Sequence, residues 1–137
     1  MNRLDSMRST LNTIRGKLLE IHRVLLAATR VEYEREHGRV TSAGGMLELV
    51  MEHPAFSWLR PLSALIARID EQLDDPEASE DAMTGSVAEV HGLLTSERYL
   101  EQLHRLPELM MAHGALRAEL QPPAAWPLLQ PLAVTSA

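Results

Sequence analysis

Cysteine is missing from the 137-residue chain, and its absence removes thiol nucleophiles, thiolate zinc sites, iron–sulfur clusters and disulfide staples together. A chain built without disulfides suits a reducing compartment, and a cytoplasmic location is the expectation. Aromatic side chains are scarce, with two Trp, two Tyr and one Phe. Lysine is reduced to Lys17 against twelve arginines, a bias that points to a GC-rich bacterial genome. No apolar run reaches the 18 residues of a membrane span, so no contact with a bilayer is expected. Arg3, Asp5, Arg8 and Arg15 interrupt the stretch that a signal peptide would need. Nucleophile-elbow and phosphate-loop patterns are also absent, and Gly44-Gly45 is not followed by the lysine and hydroxyl residue of a P-loop.

What remains is an ordinary globular composition, 45% hydrophobic and 23% charged. The length suits one domain that buries a real core. The net charge of −6 divides unevenly: residues 1–68 carry ten basic and seven acidic groups, residues 69–137 three basic and twelve acidic. Halves of +3 and −9 suit segments that pack on each other, or two copies that pair, better than a phosphate backbone. Nucleic acid is therefore not an expected partner.

From Leu4 the apolar residues run Met7, Leu11, Ile14, Leu18, Ile21, Leu25 and Ala28, alternating three and four. That spacing predicts a long amphipathic helix from about Asp5 to His37, stopped by Gly38. Thr41 to Gly45 reads as a loop with N-cap candidates, and a second helix starts near Met46 and runs to about Asp74. Pro54 and Pro61 lie within it, so it must be kinked or split. Asp75-Pro76-Glu77 reads as an N-cap, a first-turn proline and an acid, opening a third helix with Met83, Val87, Val90 and Leu94 on its stripe. A fourth element, capped by Thr95 or Ser96, places Leu100, Leu103, Leu106, Met110, Leu116 and Leu120 on one face, with Pro107 inside it. The fold class expected is all-α, an antiparallel four-helix bundle over residues 1–121 with a proline-kinked second helix. Residues 122–137 hold Pro122, Pro123, Pro127 and Pro131 and read as a proline-rich tail, with Trp126 a candidate anchor.

Glu-x-x-His occurs twice, as Glu34 with His37 and Glu101 with His104, and spacing of three puts carboxylate and imidazole on one helix face. Di-iron bundles of the ferritin type need two such pairs and a glutamate from each of two further helices, for which Glu48 and Glu89 are available. With 14 Glu and 6 His in the chain, chance alone supplies about 0.6 such pairs, so the pattern carries little weight. A ligand-binding or metal-binding bundle is thus the competing reading, and no cofactor is expected under the main one. Arg8, Arg15 and His22 recur every seven residues beside the first seam, either as a contact with a partner or as an edge facing acidic helices of the same chain.

The most distinctive stretch is His53 to Pro61, where two prolines interrupt helix and free backbone carbonyls. Its segment Trp58-Leu59-Arg60-Pro61-Leu62-Ser63 resembles one found in a family of bacterial helical proteins with no known activity, and the resemblance implies a helical fold and nothing about chemistry. His53, Phe56, Trp58 and Arg60 are the candidate binding surface, with Trp58 offering hot-spot area and Arg60 five donors. The structural reading beside it has Arg60 tying down the freed carbonyls and Trp58 filling core. No catalytic residues are indicated. The function expected is that of a non-enzymatic helical protein acting through contacts with a protein partner or as a homo-oligomer through its first helix.

Overall fold

The computed structural model describes residues 2–120, and these are all-helical. Six α-helices occur among them, α1 (Arg3–His37), α2 (Ala43–Glu52), α3 (Arg60–Asp74), α4 (Glu80–Leu94), α5 (Glu97–Arg105) and α6 (Pro107–Glu119), with a 3-10 segment over Pro54–Leu59. The four-helix count is thereby corrected, and the physical cause is proline. Pro54 does not kink a continuous second helix but ends α2, because the preceding residue is pushed to extended backbone, as His53 is at φ −79° and ψ 135°. Leu106 is likewise extended before Pro107, which separates α5 from α6. The expected tail, 122–137 with Trp126, lies outside the described residues.

α1 spans about 52 Å and is the spine of the molecule. Asn2 caps it by accepting from the Asp5 N–H at 2.8 Å. Gly38 ends it at φ +89°, a conformation costly for any side chain, while its N–H donates to the Glu34 carbonyl. The predicted seam is buried: Met7, Leu11, Ile14, Leu18, Ile21 and Leu25 all lie in the core. Its most extensive neighbours are α6 and α3, with α4 also against it. The seam is therefore covered within one chain, which removes the exposed leucines on which the expected association through α1 depends.

The seven-residue flank of α1 meets α3 throughout. Arg8 donates to the Gln72, Leu73 and Asp75 carbonyls at the end of α3, satisfying groups that a helix C-terminus leaves open. Arg15 pairs with Asp70 at 3.1 Å, and His22 bonds Ser63 at 2.9 Å. These three ties fix α3 antiparallel to α1. Arg3 with Glu80, Arg23 with Glu108 and Glu32 with Arg105 carry the same logic to α4, α6 and α5. The +3 and −9 halves thus face each other.

Two sequence expectations shift here. α4 starts at Glu80 under a Ser79 cap that accepts from Ala82 N–H at 3.0 Å, not at Pro76. The Asp75 carboxylate instead accepts from Glu77 N–H in a turn, so the local side-chain bond outcompetes helix initiation. On α5 and α6 the buried residues are Tyr99, Gln102, Leu109 and Leu116, while Leu100 and Met110 are exposed. Leu116 and Leu120 of the expected stripe are buried and Leu103 and Leu106 pack against the core, so the stripe drawn through the break at Pro107 holds except at Leu100 and Met110.

Candidate functional site

The His53 to Pro61 junction satisfies its own backbone. His53 N–H donates to the Leu49 carbonyl and closes α2, and its Nδ1 accepts from Ala55 N–H at 3.0 Å. The Ser57 hydroxyl donates to the Pro54 carbonyl at 2.8 Å. Arg60 donates to the Met51 carbonyl at 2.6 Å, taking up an acceptor at the end of α2. Phe56 is fully buried and belongs to the core, which corrects its place on the candidate surface. Trp58 is half-buried beneath Arg98, whose guanidinium stands 4.8 Å from the ring centroid, and its indole N–H is buried without an acceptor among the described residues. His53 is half-buried among rings: Tyr33 meets it edge-on at 5.1 Å, and His37 lies at 5.6 Å. Of the four residues, only Arg60 is exposed, and it is occupied in holding the break together.

The metal candidates do not come together. Glu34 accepts from Val40 N–H at 2.7 Å and from Arg30 at 3.3 Å, and the Val40 bond first, the guanidinium next, holds its carboxyl below the usual range. His37 stacks on Tyr33 at 4.4 Å and shares a hydrogen bond with the Tyr33 carbonyl. His104 is tied to the Leu100 carbonyl at 2.9 Å, and Glu101 beside it is exposed. Glu89 pairs with Arg68, and Glu48 is exposed on α2. Among the described residues no group of three or more potential ligands converges. Glu34 and Glu89 each have an arginine for a partner, which neutralises the charge a cation would need.

Polar pairs inside the bundle have no signature in the sequence. Tyr99 and His113 share a 2.8 Å hydrogen bond, with burial pushing the phenol up and the imidazole down, so both are neutral. His22 and Ser63 have the partners of a nucleophile and its base, but the hydroxyl donates to the Leu59 carbonyl at 3.3 Å. These pairs fasten helices.

One face is left over. α2 has no buried residue: Met46, Leu49 and Val50 are half-buried, while Leu47 and Met51 stand 60% and 64% exposed. Between α2 and α1 runs a groove of about 590 Å³ whose apolar lining is Leu26, Val40, Met46, Leu47 and Val50, with Arg30 among them. A signal for this face is present in the sequence, since Met46, Leu47, Leu49, Val50 and Met51 are five apolar residues in six positions, more than one helix face can bury. No helix among the described residues is long and apolar enough to cross a membrane. Comparison of the chain with protein-family models, with curated proteins and with solved structures finds no match in any of the three.

Proposed function

We propose that this is a non-enzymatic helical protein that works through protein–protein contacts, and that its docking surface is the outer face of α2 with the groove beside it. The observation that carries the reading is a ten-residue helix with no buried residue that holds Leu47 and Met51 in solvent. A helix of that length is marginal alone, so its apolar face is maintained by the rest of the fold rather than by its own stability. Large apolar side chains gathered beside a groove are what a protein-binding surface offers. The cytoplasmic, bacterial setting belongs to the same proposal and rests on the missing cysteine and the arginine bias.

A photo-crosslinking amino acid placed at Leu47 in the full chain, in living cells, tests the surface whatever the partner is. Adducts should form at position 47 and not at Glu101, an exposed position on α5. Equal labelling at both positions, or none at 47, would show that α2 is not a contact face.

A further inference from the structure

We propose that the cavity behind Trp58 is a binding site for a small neutral molecule carrying an oxygen acceptor on a short aliphatic body. The site is separate from the α2 face and goes beyond the reading of that face. Its cavity measures about 40 Å³ and lies where α1, the 3-10 segment, α3, α4 and α5 meet. The floor is aliphatic, formed by Leu18, Ile21 and Leu25 of α1 with Leu59 and Leu62, all of them buried. Trp58, Leu93 and Ser96 are the half-buried members of the wall, so solvent reaches the cavity from their side. Close-packed interiors leave few voids larger than a water molecule. A single water needs roughly 10–15 Å³ and a cavity of about 150 Å³ takes benzene, so a space between these limits suits a guest of about two to four heavy atoms.

Hydrogen bonding decides the chemistry of the guest. The Trp58 indole N–H is buried and meets no acceptor among the described residues, and an indole only donates. The other protons of the wall are engaged: the Ser96 hydroxyl donates to the Leu93 carbonyl at 2.8 Å, and the Tyr99 hydroxyl shares its 2.8 Å bond with His113 Nδ1. A guest in the cavity that Trp58 lines must therefore accept from the indole. Tyr99, whose phenol is pushed up by burial, is the one ionisable group on the wall among the described residues. A charged guest would lie there without a counter-charge, which leaves a neutral one. Water fits less well, because a buried water holds about three hydrogen bonds and an aliphatic wall gives it few. The exposed Arg98 stands 4.8 Å over the ring and keeps the indole, and with it the N–H, in place.

Acetone and isobutene share a shape and differ in the acceptor, and titrating each into the full chain tests the site by heteronuclear NMR. The indole signals of Trp58 and Trp126 are assigned through Trp126→Phe. Acetone should move the Trp58 indole N–H downfield along a curve that saturates in the millimolar range, and isobutene should not move it downfield. Trp58→Phe keeps an aromatic wall and removes the donor. Read at the backbone amides of Leu93 and Ser96, that variant should lower the ratio of acetone to isobutene affinity about tenfold. If it does not fold, the comparison of the two guests on the unaltered chain decides alone. A displacement that never saturates, or an equal downfield displacement by both guests, overturns the proposal. So does an affinity ratio that Trp58→Phe leaves unchanged, which would make the cavity a packing void without chemical preference.

Discussion

Arg60 lies on the surface, yet its guanidinium closes a carbonyl nine residues back, at the end of α2. That role is legible in the sequence, because two prolines seven residues apart guarantee unpaired acceptors and a nearby arginine supplies the donors. The place of Phe56 is not, since an aromatic residue between prolines reads equally as core or surface until the 3-10 segment fixes its direction. The half-buried histidines are still less visible. His22, His91 and His113 are each held below the usual histidine value, first by burial and, for the latter two, next by the Arg117 guanidinium. His91 also keeps a buried Nε2 without a hydrogen-bond partner among the described residues. Groups whose folded values are depressed leave the unfolded chain holding more protons, so their stabilising contribution is complete above the unfolded value of 6.5 and is lost as pH falls through the folded values. The melting temperature should therefore fall steadily on acidification from about pH 7 to pH 5, and replacing His22 by Gln should flatten part of that slope. A profile flat over that range would mean that the three imidazoles are as protonatable in the fold as outside it.

Element boundaries follow local chemistry where a single residue decides, and depart from expectation where two compete. Gly38 and the α1 seam are readable because a glycine after the last turn and an unbroken three-and-four pattern have no rival interpretation. Asp75-Pro76 has one, for the same aspartate that can cap a helix can also close a turn on Glu77. The structure gives the cap to Ser79, and the difference is measurable. Ser79→Ala should lower stability by about 1 kcal/mol through the lost bond to Ala82 N–H, whereas Pro76→Ala should change it by under about 0.5 kcal/mol. Denaturant midpoints of the two variants decide the matter, and the reverse order would restore the helix start to Pro76. The stripe on α5 and α6 holds only in part, at Leu103, Leu106, Leu116 and Leu120 but not at Leu100 and Met110, for a related reason: Pro107 is visible as a break, but a periodic pattern carried across a break keeps no full memory of rotation. The α2 face is hard to read for the opposite reason, because an excess of apolar residues in one helix looks like core until the packing shows which of them have no neighbour to meet.

At the scale of the whole molecule, one core cluster joins α1, the 3-10 segment and α3 to α6, while α2 contributes only half-buried residues at its margin. Stability should be correspondingly uneven. Amide exchange in the middle of α1 should report global unfolding, and α2 should exchange through a markedly less costly local opening, a hierarchy that native-state hydrogen exchange resolves. Equal protection in the two helices would show that α2 is part of the cooperative unit. The same architecture, with α3, α4, α6 and the 3-10 segment leaning on α1, has a consequence in time as well as in space. During synthesis α1 leaves the ribosome complete at His37, but its most extensive partner, α6, is not finished until Glu119. At typical elongation rates that interval is about 4 to 16 s, during which the leucine and isoleucine seam has no finished cover. The nascent chain is thus at its most adhesive before it is whole, and the charged flank of Arg8, Arg15 and His22 that later grips α3 is, until then, what borders the seam with solvated groups.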